Sequence, residues 1–186
     1  MEKCIIVRYC EIHLKGKNRG YFEKLLQTNI QNALSGISHK LKVMHSRYLI
    51  ENYNEDEYNL IVEKLKKVAG VHTISHAMVV DSDYGAIKEV AFELCKDRSG
   101  TFKVETNRAD KTFPLDSMSV SRNLGGDILE NFPDLKVDVK NPSFVVNVDI
   151  REDGKTFVYN EIIRCLSGMP VGSAGRGLLL ISGGID

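Results

Sequence analysis

The sequence is poor in several features by which protein classes are recognised. It contains no tryptophan, four prolines and four cysteines among 186 residues, and no two cysteines have the C-x-x-C spacing of a zinc or redox motif. No apolar run approaches the roughly 18 residues of a membrane span, and the N-terminal run is too short for a signal peptide. These absences predict a cytoplasmic protein with neither a membrane partner nor a metal site.

Net charge is also absent, because 25 basic residues balance 25 acidic ones. The balance is uneven: residues 1–75 carry 12 Lys+Arg against 8 Asp+Glu, whereas residues 76–170 carry 12 against 16. Zero net charge excludes a polycation that binds anions over its whole surface, but it is compatible with a basic face. An anionic partner should therefore meet the first third of the chain or a local patch further on.

Strand and helix signals alternate through the first 80 residues. Hydrophobic periodicity predicts a strand, a helix, two short strands, a second helix and a strand, in this order, over residues 4–9, 21–34, 41–43, 48–50, 54–69 and 71–80. Asn18 and Asn54 are the expected N-caps of the two helices, and Glu57 is the capping-box partner of Asn54. The order β-α-β-β-α-β is that of the ferredoxin-like split unit.

The next 80 residues predict a second small α/β layer. The patterns indicate a helix, a strand, a polar turn, a helix and a two-stranded hairpin over residues 84–95, 101–105, 107–111, 117–129 and 143–159. The expected fold class is α+β, with one domain at residues 1–74 and a second at residues 75–166.

The last stretch, residues 167–186, contains closely spaced glycines and then the apolar run 178–181, which is typical of a buried parallel strand. Ser182-Gly183-Gly184 follows, and backbone amides in such a loop can approach an anion closely. The Ser182 hydroxyl can donate to a phosphate oxygen, and Asp186 suits a magnesium ion. A plain strand end with a glycine turn is the alternative. Since a parallel strand needs more sheet, we expect an N-terminal fragment of a larger enzyme.

Basic residues are concentrated in two places. Lys15, Lys17 and Arg19 precede the first helix and could hold phosphates, although a solvated loop is the commoner role of such a run. The second set combines basic and aromatic residues, as single-stranded RNA sites do, although aromatics are more often core residues. It comprises Lys103, Arg108 and Lys111 with Phe102 and Phe113, and Arg122 and Lys140 could extend it.

Four stretches in the same order resemble one family, the ThiI-type tRNA sulfurtransferases, or tRNA 4-thiouridine synthases. The first contains Lys15-Gly16-Lys17-Asn18-Arg19, and the others include the run from Phe102 to Pro114; together they are residues 7–23, 102–114, 135–142 and 169–186. Cys10 stands where the family usually has glycine. None of the four cysteines matches the family's catalytic cysteines, so the resemblance assigns no catalytic residue to this chain.

The resemblance implies three regions: an N-terminal ferredoxin-like domain at 1–74, a THUMP RNA-binding domain at 75–166, and a linker with the start of a PP-loop ATP pyrophosphatase domain at 167–186. It implies ATP, and possible Mg²⁺, at a loop formed by Leu180, Ile181, Ser182, Gly183, Gly184 and Asp186. It places tRNA, held by its acceptor 3′ end, on the basic residues Lys15, Lys17, Arg19, Lys103, Arg108, Lys111, Arg122 and Lys140.

The implied reaction has two steps. ATP adenylates uridine eight of tRNA, and a persulfide loaded by a cysteine desulfurase then converts it to 4-thiouridine; many members also supply sulfur for the thiamin thiazole, and a homodimer is compatible with the family. The fragment alone should be inactive. Two alternatives are a stand-alone THUMP-type RNA-binding module and a part of another tRNA-modifying enzyme, such as a methyltransferase or deaminase.

Overall fold

The computed structural model describes residues 2–175 and residue 177. Within them the strands are β1 Glu2–Arg8, β2 Lys40–Met44, β3 Arg47–Glu51, β4 Thr73–Asp81, β5 Gly100–Arg108, β6 Leu135–Val137, β7 Phe144–Ile150, β8 Lys155–Tyr159 and β9 Ile163–Arg164. The α-helices are α1 Arg19–Ala33, α2 Tyr58–Leu65, α3 Tyr84–Cys95 and α4 Ser117–Asn131. No helix among the described residues is both long enough and apolar enough to span a membrane.

The first six elements follow the order β1-α1-β2-β3-α2-β4, which confirms the predicted ferredoxin-like unit. The strands of both halves join in one sheet with the order β2-β3-β1-β4-β8-β7-β5-β6, and β9 also pairs with β4. β4 pairs with β1 along residues 73–79 and with β8 along residues 78–81. One continuous strand therefore connects the two halves.

The helices pack on one face of the sheet. Ile5 and Val7 of β1 belong to the core beneath α1 and α2, and Val148 and Val158 belong to the core beneath α3 and α4. The strand register, through the pairs Ile5↔His76, Met78↔Val158 and Val148↔Val158, places both cores on the same side. The two helical layers are therefore side by side rather than on opposite faces.

The opposite face is concave. Arg47 of β3 forms an ion pair with Asp149 of β7, although three strands separate β3 from β7 in the sheet. At a strand spacing of about 4.8 Å, a flat sheet would hold these strands ~19 Å apart, which is beyond the reach of the two side chains. The sheet is therefore strongly curved, and this curvature brings β3 and β7 within reach of each other. A third core fills this concave face and comprises Cys4, Ile6, Leu49, Ala77, Phe157 and Tyr159.

Three local predictions differ from the structure. β5 continues to Arg108, so the turn predicted at 107–111 begins at Ala109, because Asn107 and Arg108 pair with β7. α2 ends at Leu65, four residues before the predicted end. The basic run from Lys15 to Arg19, for which a solvated loop is the commoner role, lies in a 3-10 segment, Glu11–Asn18, that is interrupted at Gly16 and leads into α1.

The predicted helix caps differ as well. The side chain of Asn18 makes no capping hydrogen bond, because Asn18 has helical backbone angles. Asn54 does cap a helix end, but the segment is a 3-10 turn, Glu55–Glu57, and its carboxamide oxygen accepts from the backbone N–H of Asp56 at 3.2 Å. No return bond from the Glu57 side chain occurs within the described part of the chain, so the capping box is not formed.

A candidate nucleic-acid interface

A cavity of about 980 Å³ opens between α4, β5 and the concave face of the sheet. Its lining comes from β1, β3, β5, β7 and β8, from α4, and from the chain around β6. Residues far apart in sequence meet here because the curled sheet brings β3 towards β7. The cavity therefore draws on both halves of the chain.

Arg8, at the end of β1, is held rigidly at this cavity. Its Nη1 donates to Ser75 Oγ at 3.1 Å and its Nη2 donates to the Tyr159 hydroxyl at 2.8 Å. The guanidinium carbon lies 5.0 Å from the centroid of the Tyr159 ring. Burial lowers the pKa of Arg8 and raises that of Tyr159, but an arginine remains charged at neutral pH. A fixed positive charge thus sits at the cavity.

Asp149 is a buried charged residue in the cavity lining, where the concave face of the sheet forms the floor of the cavity. It is 3% exposed and accepts from Arg47, which is 7% exposed. Arg151 Nε lies 3.1 Å from the other carboxylate oxygen of Asp149. One buried carboxylate is therefore shared between two guanidinium groups, and it ties β3 to β7.

The charge of the lining is mixed. Four cationic side chains, Arg8, Arg47, Lys103 and Arg122, face the cavity together with the carboxylates Glu105 and Asp149. Lys103 Nζ is 2.5 Å from Glu105 Oε1, so three of the four cations already have partners. Arg122, on α4, is exposed and forms no ion pair with any other described residue. It is the cation in the lining that is best placed to meet a phosphate.

The wall formed by α4 and the chain around β6 includes exposed apolar side chains and two glycines beside Arg122. Met118 is 73% exposed and Val139 is 70% exposed, and both line the cavity. Gly125 and Gly126 lie in the interior of α4, and a Cβ at either position would meet nothing within 4 Å. Glycine inside a helix is destabilising by roughly 0.5–1 kcal/mol relative to alanine. No packing within the described residues requires these glycines, and they leave this part of the cavity wall without side chains.

Of the predicted RNA-binding residues, the structure brings Lys103 and Arg122 to the cavity. Sequence reasoning missed Arg8 and Arg47. Each is a basic residue next to a run of buried residues, since Arg8 follows residues 4–7 and Arg47 precedes residues 48–50. That pattern is a usable signal, because an arginine next to a buried run needs a partner or a ligand.

Arg108, Lys111 and Lys140 lie outside the cavity lining, near the two ends of β5. Arg108 Nη1 donates to the carbonyl oxygen of Phe113 at 3.1 Å, so this side chain holds the turn after β5. Lys111 is exposed in the same turn. Lys140 is exposed and follows β6 in the chain. Because β6 pairs with the start of β5 as far as Phe102, Lys140 lies near that end of β5. These residues flank the cavity at opposite ends.

The aromatic residues expected to stack on bases are not available. Phe102 is fully buried and its ring is stacked on that of Phe144, with centroids 5.9 Å apart. Phe113 is 6% exposed. Both belong to the core beneath α3 and α4: Phe102 lies on the helix-covered side of β5, and Phe113 lies in the turn between β5 and α4. They take the core role that is the commoner one for aromatics, and the cavity lining contains the exposed apolar residues Met118 and Val139.

The N-terminal basic residues form a separate surface. Lys15 and Lys17 are exposed on the 3-10 segment, and Lys15 Nζ lies 5.5 Å from the ring centroid of Phe22. Arg19 is engaged internally, since its Nε is 2.7 Å from Glu23 Oε1 and its Nη2 donates to Ser46 Oγ at 3.3 Å. Ser46 immediately precedes Arg47, so Arg19 connects this surface to the start of β3.

Glu23 is held ionised by the same contacts. Burial by itself raises the pKa of Glu23, but hydrogen bonds from the Tyr9 hydroxyl and from Arg19 outweigh it, and the pKa is lowered. Arg19 is therefore less free to bind phosphate than Lys15 and Lys17.

Two of the four cysteine thiols, those of Cys4 and Cys95, are poorly suited to nucleophilic chemistry. Cys4 and Cys95 are fully buried, and burial raises the pKa of Cys4 to about 12 and that of Cys95 to about 11. A thiol must lose its proton to act as a nucleophile. These two residues therefore act as apolar core residues at neutral pH.

The predicted ATP-binding residues, Leu180, Ile181, Ser182, Gly183, Gly184 and Asp186, lie outside the described residues. The structure therefore does not bear on the predicted phosphate loop. Across residues 2–175, no three His, Cys, Asp or Glu side chains gather in a way that could hold a metal ion.

Two family models match the chain. The ThiI ferredoxin-like domain matches residues 4–75 and the THUMP domain matches residues 81–159. A probable tRNA sulfurtransferase of Acetivibrio thermocellus is 47% identical over 197 residues, which covers 100% of this chain and 49% of that protein. The chain belongs to the ThiI family of tRNA sulfurtransferases. It spans about half the length of the curated relatives it matches.

Solved structures agree with membership of the ThiI family. The crystal structure of a 4-thiouridine synthetase in complex with RNA and ATP has a TM-score of 0.82 and 37% identity, over 100% of this chain and 48% of that one. PH1313 from Pyrococcus horikoshii has a TM-score of 0.81 and 31% identity over 92% of this chain. TrmN from Thermus thermophilus, 18% identical with a TM-score of 0.60, shares the fold.

The boundary between the two matched domains falls in β4. The ferredoxin-like match ends at residue 75 and the THUMP match begins at residue 81, and β4 runs without a break from Thr73 to Asp81. The predicted division at residues 74 and 75 thus corresponds to a point within a strand that both halves use.

Proposed function

We propose that this region binds the acceptor 3′ end of tRNA for an ATP-dependent sulfurtransferase that converts uridine eight to 4-thiouridine. The observation that carries the proposal is the likeness, over the whole chain at 37% identity, to a 4-thiouridine synthetase whose structure contains RNA and ATP. A stand-alone RNA-binding module is less well supported, because the similar curated proteins are named tRNA sulfurtransferases.

The cavity is the proposed binding site for the single-stranded end. It joins charged groups that can meet phosphates to an apolar wall that can lie against bases, and this combination suits single-stranded nucleic acid. Arg122 supplies an unpaired cation within it, and Lys111 and Lys140 extend the positive charge along β5. Lys15 and Lys17 provide a second contact for the backbone of the acceptor arm.

The remaining components of the reaction follow from family membership. ATP, with Mg²⁺, would bind at Leu180, Ile181, Ser182, Gly183, Gly184 and Asp186, and a cysteine desulfurase would supply the persulfide sulfur. The same sulfur supply would serve the thiamin thiazole, the protein would act in the cytoplasm, and a second copy would form a dimer. The residues described here contribute recognition: they hold the RNA, and the distance from this grip to the ATP site selects the uridine.

Binding of tRNA by the 186-residue chain tests this proposal. Phosphate contacts release counterions, so log K should fall linearly with log salt, with a slope of about −0.7 per contact for a single strand. Arg122→Ala and Lys111→Ala should each weaken binding and reduce that slope by about one contact. Lys136→Ala, an exposed lysine outside the cavity lining, is the control. Binding that does not change with salt would contradict the proposal.

Arg108→Ala needs a different interpretation. Because Arg108 holds the carbonyl oxygen of Phe113, its loss loosens the turn that carries Lys111. We expect weaker tRNA binding from Arg108→Ala together with a lower melting temperature, whereas Lys111→Ala should weaken binding alone. Thermal unfolding of both variants separates these effects.

A further inference from the structure

The floor of the cavity carries hydrogen-bond acceptors where a phosphate-binding groove would carry only donors. Glu105 of β5 and Asn147 of β7 are register partners, so their side chains lie on the same face of adjacent strands. The side chain of Glu105 is 56% exposed at the cavity. A carboxylate in this position repels phosphate. Its presence needs another explanation if the cavity binds RNA.

Lys103 holds Glu105 in place. Lys103 Nζ lies 2.5 Å from Glu105 Oε1, and the lysine side chain is 24% exposed, less than half the exposure of the glutamate. The lysine is therefore the support and the carboxylate is the group presented to the cavity. This ordering reverses the role expected from the sequence, in which Lys103 contacts a phosphate itself.

The amide of Asn147 is fixed in one orientation. Its Nδ2 donates to the carbonyl oxygens of Val145 at 3.3 Å and Tyr159 at 3.4 Å. With both hydrogens directed to the backbone, the carbonyl oxygen of the side chain is left as the acceptor. Glu105 and Asn147 thus provide two acceptors on strands about 4.8 Å apart.

We propose that Glu105, supported by Lys103 and adjoined by Asn147, determines base specificity in the cavity by accepting hydrogen bonds from exocyclic amino groups. Cytosine N4 and adenine N6 are donors on the Watson–Crick edge, and a glutamate accepts from cytosine N4 with good geometry. Uracil presents a carbonyl oxygen at the same position and is repelled. The inference rests on the proposed RNA binding and adds a preference for the bases of the RNA end.

Two RNA hairpins with identical stems test this assignment. One has a 3′ overhang of four cytidines and the other has four uridines, so the single-stranded parts carry the same phosphate charge and differ at the base edge. The 186-residue chain should bind the cytidine hairpin about tenfold more tightly, within the range of discrimination per base contact. Binding is measured by fluorescence anisotropy at one fixed salt concentration.

Two substitutions at the same residue separate base reading from charge. Glu105→Ala and Glu105→Gln remove the same negative charge, but glutamine keeps an acceptor oxygen. We expect Glu105→Ala to abolish the preference for cytidine and Glu105→Gln to retain part of it. Glu152→Ala, which removes an exposed carboxylate outside the cavity lining, should leave the preference unchanged. Equal melting temperatures show that each variant is folded.

The outcomes of these experiments distinguish the role of Glu105 from the RNA binding on which it rests. If the unmodified chain binds neither hairpin, both the RNA-binding proposal and the role of Glu105 are overturned. If it binds both hairpins equally, or if both substitutions at Glu105 strengthen binding of the two hairpins alike, the cavity senses charge alone. The role of Glu105 is then wrong, whereas RNA binding stands.

Discussion

The buried ion pair between Arg47 and Asp149 should contribute strongly to the stability of the curled sheet. Asp149→Ala removes the acceptor and leaves Arg47 as a buried, uncompensated charge, since Arg47 is 7% exposed. Breaking a buried pair by removing one partner costs about 3–5 kcal/mol. The loss should be near the upper part of this range, because Arg151 also loses its contact with Asp149.

The expected shift in melting temperature follows from the size of the protein. For a domain of 150–250 residues, 1 kcal/mol corresponds to about 2–4 °C, so Asp149→Ala should lower the melting temperature by roughly 6–20 °C. Urea unfolding followed by circular dichroism measures the free energy directly. Glu152→Ala, three residues further on and exposed, should change it by less than about 0.5 kcal/mol.

A second comparison identifies the cause of the loss. Replacing both partners with apolar residues, as in Arg47→Met with Asp149→Leu, removes both charges of the pair and should recover part of the stability, while the contact of Arg151 with Asp149 stays lost. RNA binding should still be impaired in this double variant, because the cavity lining loses two charged groups. An Asp149→Ala variant that loses less than 1 kcal/mol would refute the argument that this pair closes the concave face.

Three further outcomes are expected. Gly70→Ala should destabilise the protein by about 1–3 kcal/mol, because Gly70 has φ +102° and the added Cβ would lie 3.2 Å from Pro170 Cγ. Gly36→Ala is the control, because Gly36 has φ +86° but open space around it. Equal losses of stability in urea unfolding would exclude a steric cause. Gly126→Ala should raise stability by roughly 0.5–1 kcal/mol yet weaken RNA binding, and unchanged affinity would remove the α4 wall from the site. The pKa of Glu23 is lowered from 4.5 in the folded protein, so its contribution to stability is present above about pH 4.5 and disappears as the pH falls further. Glu23→Gln should flatten this part of the curve of stability against pH. An identical curve for the variant would show that the carboxylate contributes nothing.

Much of the fold could be read from local patterns. The helix predicted at 84–95 coincides with α3, and the strand and hairpin predicted at 143–159 coincide with β7 and β8. Periodicity succeeds there because each element has one buried face whose repeat is that of the helix or strand. It was less successful at the end of α2 and at the end of β5, where pairing or packing with distant residues decides the boundary.

The candidate site was only partly predictable. Lys103 and Arg122 stand out as basic residues and do line the cavity, whereas Arg8 and Arg47 look like ordinary strand ends. The aromatic pattern around Phe102 was misleading, because a strand presents alternate residues to opposite faces and Phe102 faces the core. Sequence spacing alone does not tell which face is covered by helices.

The sequence by itself determined the family, the order of the elements and the ferredoxin-like unit, because these depend on local periodicity and on contiguous motifs such as Lys15-Gly16-Lys17. Tertiary structure decided where the cavity lies and which charges reach it. Arg47 and Asp149 are 102 residues apart, and they meet because the whole sheet curls. That curvature is the sum of twists over many paired strands, so no segment of the sequence contains it.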